Sequence, residues 1–410
     1  MKIWRVPYPK FATGDGLARV NAIASLLGLD LGAFGGNGAA ITGSNGKGST
    51  AAMLASILEQ GGGPVGLFIS PHLFRLNERF RIDGDDISDE ELERHWERVG
   101  DAIATWRKTH DEEAGGFEFL FLIAADWFAA RGCAHAVWEA GIGGRYDPVR
   151  LIAARRAALT SLDLEHTQLL GETLEEIARD KLDAAPAGAR VFVGEVSPPL
   201  RDVIEAHCKD RNVTAVFPAQ SEQCLSPLAG AHQRGNAALA LALARDMAPA
   251  LTQEQMSAGL AATRWPGRLE IIETEPRVVI DVGHTPEAIR AALSGFLTLA
   301  SGRARVLVCG ASRDKNAAAM IAALAPSFPV IIAAAARHKG APAAEIAAAA
   351  AAANPGAEIA IAESMADARR LALAKARSAG AAVYVAGGLF LAAEFKAAHL
   401  GVDPASLAFF

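Results

Sequence analysis

Gly43-Ser44-Asn45-Gly46-Lys47-Gly48-Ser49-Thr50 sets three glycines, a lysine and three hydroxyls directly behind the run Ala39-Ala40-Ile41-Thr42. Glycines let backbone N–H groups turn toward an anion, and a helix that follows presents its positive end to negative charge. In such a loop Lys47 can bridge the outer phosphates of a nucleotide, and Ser49 or Thr50 can ligate magnesium. The stretch departs from G-x-x-x-x-G-K-[ST]: position 41 is isoleucine, and Gly48 separates Lys47 from the hydroxyls. An ordinary glycine turn is the bland alternative. The order of lysine and hydroxyls at a strand-to-helix junction favours nucleotide binding. A dinucleotide oxidoreductase lacks support, because the loop is not G-x-G-x-x-G and a lysine inside it suits a triphosphate.

Glu139 is a second chemical candidate. It ends the apolar run "VWEAGIGG", and a buried carboxylate needs a partner, for which a metal is suitable. Ser70, in "ISPHL", reads on its own as a helix N-cap, since Ser-Pro often starts a helix. His166, in "LDLEHTQ", reads on its own as a satisfied loop histidine, and Lys181 as an exposed helical lysine.

These residues must be positioned by the elements before them. Short apolar runs alternate with longer helical patterns along the chain: "AAIT" then "TAAMLASILEQGG", "PVGLFIS", the amphipathic "DISDEELERHWERVGDAIATWRK", the apolar "FEFLFLIAADWF", "HAVWEAGIGG", "AALTSLDLEH" and "HQRGNAALALALARDMAP". Such alternation implies α/β architecture, a parallel sheet covered by helices on both faces with ligands at the carboxyl ends of its strands. Every polar cluster named above follows a strand pattern. The plan restarts after "RWPGRLEII" with "RVVIDVGHTPEAIRAALSGF". The expected fold is an N-terminal P-loop ATPase-type parallel-sheet domain over residues 1–272 and a smaller C-terminal Rossmann-like α/β domain over residues 273–410, with a hinge between Pro266 and Pro276.

Length and composition agree. A single core rarely exceeds about 250–300 residues, so 410 residues call for two domains. A net charge of −6 without a basic stripe speaks against nucleic acid, and positive groups must be concentrated locally for an anionic substrate. Cys133, Cys208, Cys224 and Cys309 form no CxxC pair and read as reduced thiols. The first residues lack the apolar segment of a signal peptide, and the alanine-rich runs look like surface helices rather than membrane spans. A cytoplasmic monomer is expected.

The loop together with "SPHLFRLNER", "EAGIGGRYD", "LDLEHTQLLGETLEEIARDK", "HQRGNAALALA", "WPGRLE", "DVGHTPEA", "SRDKN" and "AGGLFLAAEF" resembles, in order and spacing over nearly the whole chain, folylpolyglutamate synthase and the related dihydrofolate synthase of the Mur ligase superfamily. The resemblance implies an ATP-dependent amide ligase. ATP would phosphorylate the carboxylate of a pterin or folate acid, and the amine of L-glutamate would displace the phosphate. It implies Ser70, Glu139 and His166, with Ser49, as ligands of one or two Mg2+ ions (K+ being a further candidate), and Lys181 as a carbamylated lysine. Gln233, Asn236 and Arg268 would contact ATP, with Arg268 stabilising the transferring phosphate. Asp281 and His284 would reach the nucleotide from the second domain as the cleft closes. Asp314 and Lys315 would meet glutamate or the domain interface, and Phe74 and Arg79 would lie near the pterin.

Three departures leave the acceptor open. Glu165 replaces an aspartate, Pro148-Val149-Arg150 lacks the asparagine of the family pattern, and Thr285 stands between His284 and Pro286 in place of asparagine. A paralogue acting on another carboxylate cofactor, and a nucleotide-binding regulator without ligase activity, remain alternatives.

Overall fold

Strand β1 (Gly38–Thr42) has no polar face because it lies inside an eight-stranded sheet with all its residues buried. The computed structural model describes residues 2–10, 12–219 and 226–409. The first sheet continues with β2 (Val65–Phe68), β3 (Phe80–Ile82), β4 (Asp85–Asp86), β5 (His135–Glu139), β6 (Arg156–Leu159), β7 (Arg190–Val193) and β8 (Thr214–Val216), in spatial order β4-β3-β2-β5-β1-β6-β7-β8. β1 pairs in parallel with β5 and β6, with Ile41 opposite Glu139 and Thr42 opposite Leu159. The loops after these three strands therefore leave one edge of the sheet together. Helix Lys47–Leu58 follows β1 and is buried nearly all round between the sheet and helices His232–Met247 and Gln253–Ala262, which explains its lack of an amphipathic pattern.

The sequence pattern shows no strand period over "NERFRIDGDD". The segment forms a short 3-10 turn, Leu76–Arg79, and the antiparallel β3–β4 edge, pairs too short and charged to show a strand period. The apolar helix Gly116–Ala130 is buried as expected, and Phe117 lies beneath the turn after β5, where a Cβ on Gly141 would meet its ring at 2.9 Å.

The second sheet comprises β9 (Glu270–Thr274), β10 (Arg277–Ile280), β11 (Arg305–Cys309), β12 (Val330–Ala333), β13 (Glu358–Ile361) and β14 (Ala382–Ala386), in order β13-β12-β11-β14-β10-β9. All pairs are parallel except β9–β10. The sheet thus begins at Glu270, ahead of the boundary expected at 273. The cause is a hairpin: β9 is a half-exposed edge strand that folds back on β10, so the hinge segment contributes a strand. The alanine-rich helix Ala343–Ala353 buries Ile346, Ala347 and Ala350 on one face. Among the described residues Cys133, Cys208 and Cys309 are free thiols, Cys224 lies outside the described residues, and no helix is long and apolar enough to cross a membrane.

Candidate active site

The loop after β1 is built around two glycines. Gly43 and Gly46 have φ of 133° and 88°, conformations open to glycine, and Gly46 stands at the N-cap of helix Lys47–Leu58 without a side-chain cap. Nothing from a side chain therefore closes the helix's positive end. Thr50 Oγ1 is buried without a hydrogen-bond partner, an orphan that a phosphate or a metal-bound water would satisfy. Lys47 Nζ donates to the carbonyls of Gly43 (2.8 Å) and Ser44 (3.2 Å), curling back over the loop.

Neighbouring strands clamp this loop. After β6, Thr160 Oγ1 donates to Asn45 O at 2.7 Å, Asn45 N donates to Ser161 Oγ at 2.9 Å, and Asp163 N donates to Ser44 Oγ at 3.0 Å. The sequence reading missed Thr160 and Ser161. Their signal is a hydroxyl pair at the exit of a strand, which acquires meaning only once β6 is known to lie beside β1. Trp265 was also missed: a Cβ on Gly48 would meet its ring at 2.8 Å, so the indole roofs the start of the helix.

Glu139 ends β5 and is 5% exposed. Its Oε2 accepts the Ser70 amide at 3.0 Å. Burial raises its pKa, opposed by Lys47, the Ser70 amide, Arg268 and Arg79. Ser70 starts no helix: a cis bond joins it to Pro71, and its hydroxyl accepts from Arg79 at 3.1 Å. Arg79 is 1% exposed and lies behind Ser70. A narrow cleft lined by Gly48, Ser70, Glu139, Trp265, Arg268 and Leu389 brings these groups together with the second domain. Ser49 is buried in the first turn of the helix.

Lys181 is 2% exposed, which excludes the surface-lysine reading. It donates to Gly43 O at 3.1 Å and to Glu165 Oε1 at 2.9 Å. Burial opposes ionisation of Glu165, but Lys47, Lys181 and Ser44 override it and hold its pKa at about 2. Lys181 is itself lowered, by burial first and then by Lys47, against the pull of Glu165. Glu165, noted in the sequence only as a departure, is thus the carboxylate that ties this lysine to the phosphate loop. His166 has φ 47° and an exposed position. Partial desolvation by the neighbouring protein atoms lowers its pKa, as do Lys315, Lys181 and Lys47, while Glu165 opposes. Among the described residues no three His, Cys, Asp or Glu side chains converge as a metal cage. Hard oxygen donors at Ser49, Ser70 and Glu139 beside a phosphate site suit magnesium, which commonly takes one or two carboxylates and completes its shell with phosphates and water.

A cavity of about 750 Å³ opens beside the loop, between the exits of β6 and β7 and the start of helix His232–Met247. Asn236 lines it, and Gln233 supports Asn236 by accepting from its Nδ2 at 2.9 Å. From the second sheet, Asp281 accepts the amides of Leu269 (3.1 Å) and Gly283 (2.8 Å). Its oxygens brace the segment carrying Arg268, whose charge interacts with Asp281 and Glu139. His284 is exposed at the residue level, yet its ring is crowded: surrounding atoms first, then Lys315, Lys47 and Arg268, lower its pKa. Asp314 and Lys315 follow β11, and Lys315 contributes to the field at both His166 and His284. Thr285, at the family's asparagine position, caps helix Pro286–Leu299 by accepting from Ala288 N at 3.2 Å.

Two α/β domains thus meet over an open glycine loop, with Lys47, Glu139 and Arg268 gathered beside it. Residues 267–389 match the Mur ligase glutamate ligase domain. The chain is similar to proteins of the Mur ligase superfamily, and among them to folylpolyglutamate synthases. It is 34% identical over 380 residues to a probable bifunctional folylpolyglutamate synthase/dihydropteroate synthase of Halobacterium salinarum, covering 87% of this chain and 46% of that protein. It is 33% identical over 311 residues to a folylpolyglutamate synthase of Saccharomyces cerevisiae, covering 68% and 57%. The chain therefore spans only about half the length of these relatives. Among solved structures, Mycobacterium tuberculosis folylpolyglutamate synthase complexed with ADP and AMPPCP superposes with a TM-score of 0.86 at 25% identity, over 95% of this chain and 96% of that one. E. coli FolC in complex with DHPP and ADP gives 0.84 at 27% identity, over 96% and 95%.

Proposed function

We propose that the protein joins L-glutamate to the carboxylate of a folate or pterin acid, using ATP. The observation that carries this reading is the shared cleft in which Glu139, Ser70 and Arg268 face the uncapped start of the phosphate-loop helix. A site that only held a nucleotide would need no second set of charged groups at its phosphate end. Carboxylates are poor electrophiles, and phosphorylation supplies a leaving group. A carboxylate oxygen of the acid attacks the terminal phosphorus of ATP, and the bond to ADP breaks. The glutamate nitrogen then attacks the acyl carbon and loses its proton as phosphate departs.

Lys47 and the first-turn amides neutralise the phosphate chain, and Arg268 meets the charge that grows on the transferring group. Magnesium held by Ser49, Ser70, Glu139 and the approach of His166 would add charge neutralisation at the same oxygens. Asn236, supported by Gln233, would hold the base or ribose in the large cavity. Lys181, through Glu165, fixes the loop from behind. His284 approaches from residues 270–410 when the domains close. The protein would act as a cytoplasmic monomer on small molecules.

A second reading, transfer to another carboxylate cofactor, is favoured by the altered segment after Asp147. Phosphate release measured with dihydropteroate, tetrahydrofolate monoglutamate and other carboxylate cofactors, each with L-glutamate, decides between them. Release that depends on a pterin-type acid and on glutamate is expected. Release with another acid alone would establish the second reading, and none with any acid would sink both.

A further inference from the structure

Segment Leu407–Phe409 lies across the two domains and touches a chain of polar groups that ends at Ser70. Phe409 packs against three rings: Phe390 at 4.8 Å and His338 at 5.3 Å between centroids on the second domain, and His72 at 6.2 Å on the first, stacked within 8° of parallel. The second-domain wall is tied together by hydrogen bonds. Buried Glu394 accepts the amides of Arg337 (2.9 Å) and His338 (3.1 Å), fixing that loop to the helix carrying Phe390.

On the first domain the connections are hydrogen bonds through buried groups. Arg79 Nε donates to His72 Nδ1 at 2.9 Å, so the ring is neutral and its Nε2–H donates to the carbonyl of Ala408 at 2.8 Å. Arg79 and His72 are each 1% exposed. The same guanidinium donates to Ser70 Oγ at 3.1 Å, and Ser70 N donates to Glu139 Oε2 at 3.0 Å. Ala408, His72, Arg79, Ser70 and Glu139 thus form one continuous series. Buried networks of this kind hold geometry tightly, because each member left unsatisfied is costly.

We propose that segment Leu407–Phe409 is an interdomain strap, and that His72 and Arg79 are positioning residues through which the docked second domain sets Ser70 beside Glu139. The first domain then presents a correctly aimed Ser70 only while the second is seated. The strap stands on the contacts alone; its catalytic consequence rests on the reading of Ser70 in the preceding section.

Phe409→Ala tests it in the full chain, with His72→Gln as a second perturbation and Phe409→Tyr as the conservative control. Hydrogen exchange followed by mass spectrometry should show peptides over residues 70–79 exchanging at least about tenfold faster in Phe409→Ala, with peptides over residues 43–50 unchanged. In the ligase assay kcat should fall about tenfold while KM for ATP stays within about twofold. Phe409→Tyr should restore both. Unchanged exchange over residues 70–79 in both Phe409→Ala and His72→Gln would overturn the strap. Faster exchange with unchanged kcat would overturn the positioning role. A wild-type protein inactive on every acid would instead count against the proposed reaction, and the exchange result would still judge the strap.

Discussion

Gly46→Ala should cost nucleotide affinity far more than its single added methyl suggests. Gly46 sits at φ 88°, where an L side chain costs roughly 1–2 kcal/mol. The new Cβ would also run into Asn236 Oδ1, with Asn236 Cγ only 3.1 Å away. Moving Asn236 breaks its 2.9 Å bond to Gln233, worth about 1 kcal/mol. A nucleotide-free loop can relax this strain, but a loop gripping phosphates cannot. The penalty of about 2–3 kcal/mol therefore falls on the bound state, weakening binding roughly 30- to 150-fold. Isothermal titration with a non-hydrolysable ATP analogue measures it. Gly28→Ala is the control: Gly28 has φ 73° with nothing within 4 Å of its Cβ, so it carries similar backbone strain away from the site and should leave affinity unchanged. A Gly46→Ala dissociation constant within about threefold of wild type would refute the assignment of this loop to the phosphates.

Three further outcomes are expected. Lys47→Ala should keep the wild-type circular dichroism spectrum and abolish acid-dependent ADP formation; near-wild-type turnover would contradict its role. Arg268→Ala should lower kcat by roughly a hundredfold or more with a smaller change in ATP affinity, as for a group acting on the transition state; the reverse pattern in steady-state kinetics would remove it from that role. Glu165 has a folded pKa of about 2 against 4.5 ordinarily. A lowered carboxylate pKa stabilises the fold fully above the ordinary value and loses that contribution as pH falls toward the folded one. The stability difference between wild type and Glu165→Gln should shrink by about 3 kcal/mol between pH 4.5 and 2 in urea titrations, and a constant difference would show that Lys47 and Lys181 do not sustain the ionised carboxylate.

The sequence by itself determined the local chemistry. Glycines at positions 43 and 46 with Lys47 between apolar strand and helix need no neighbour to be read, because conformational freedom and helix polarity are properties of the segment. The alternation of strand and helix likewise gave both α/β units, since burial on two faces leaves near-continuous apolar runs. Only the tertiary structure decided which distant groups serve that loop. Lys181 reads as an ordinary helical lysine until helix Leu174–Leu182 brings it under Gly43 O. Thr160 and Ser161 gain a purpose from the pairing of β6 with β1, Trp265 from its place over Gly48, and Ala408 from its bond to His72. Hydrophobic periodicity reports whether a residue faces inward, but strand order and domain docking fix what it meets there, and those follow from the packing of the whole chain.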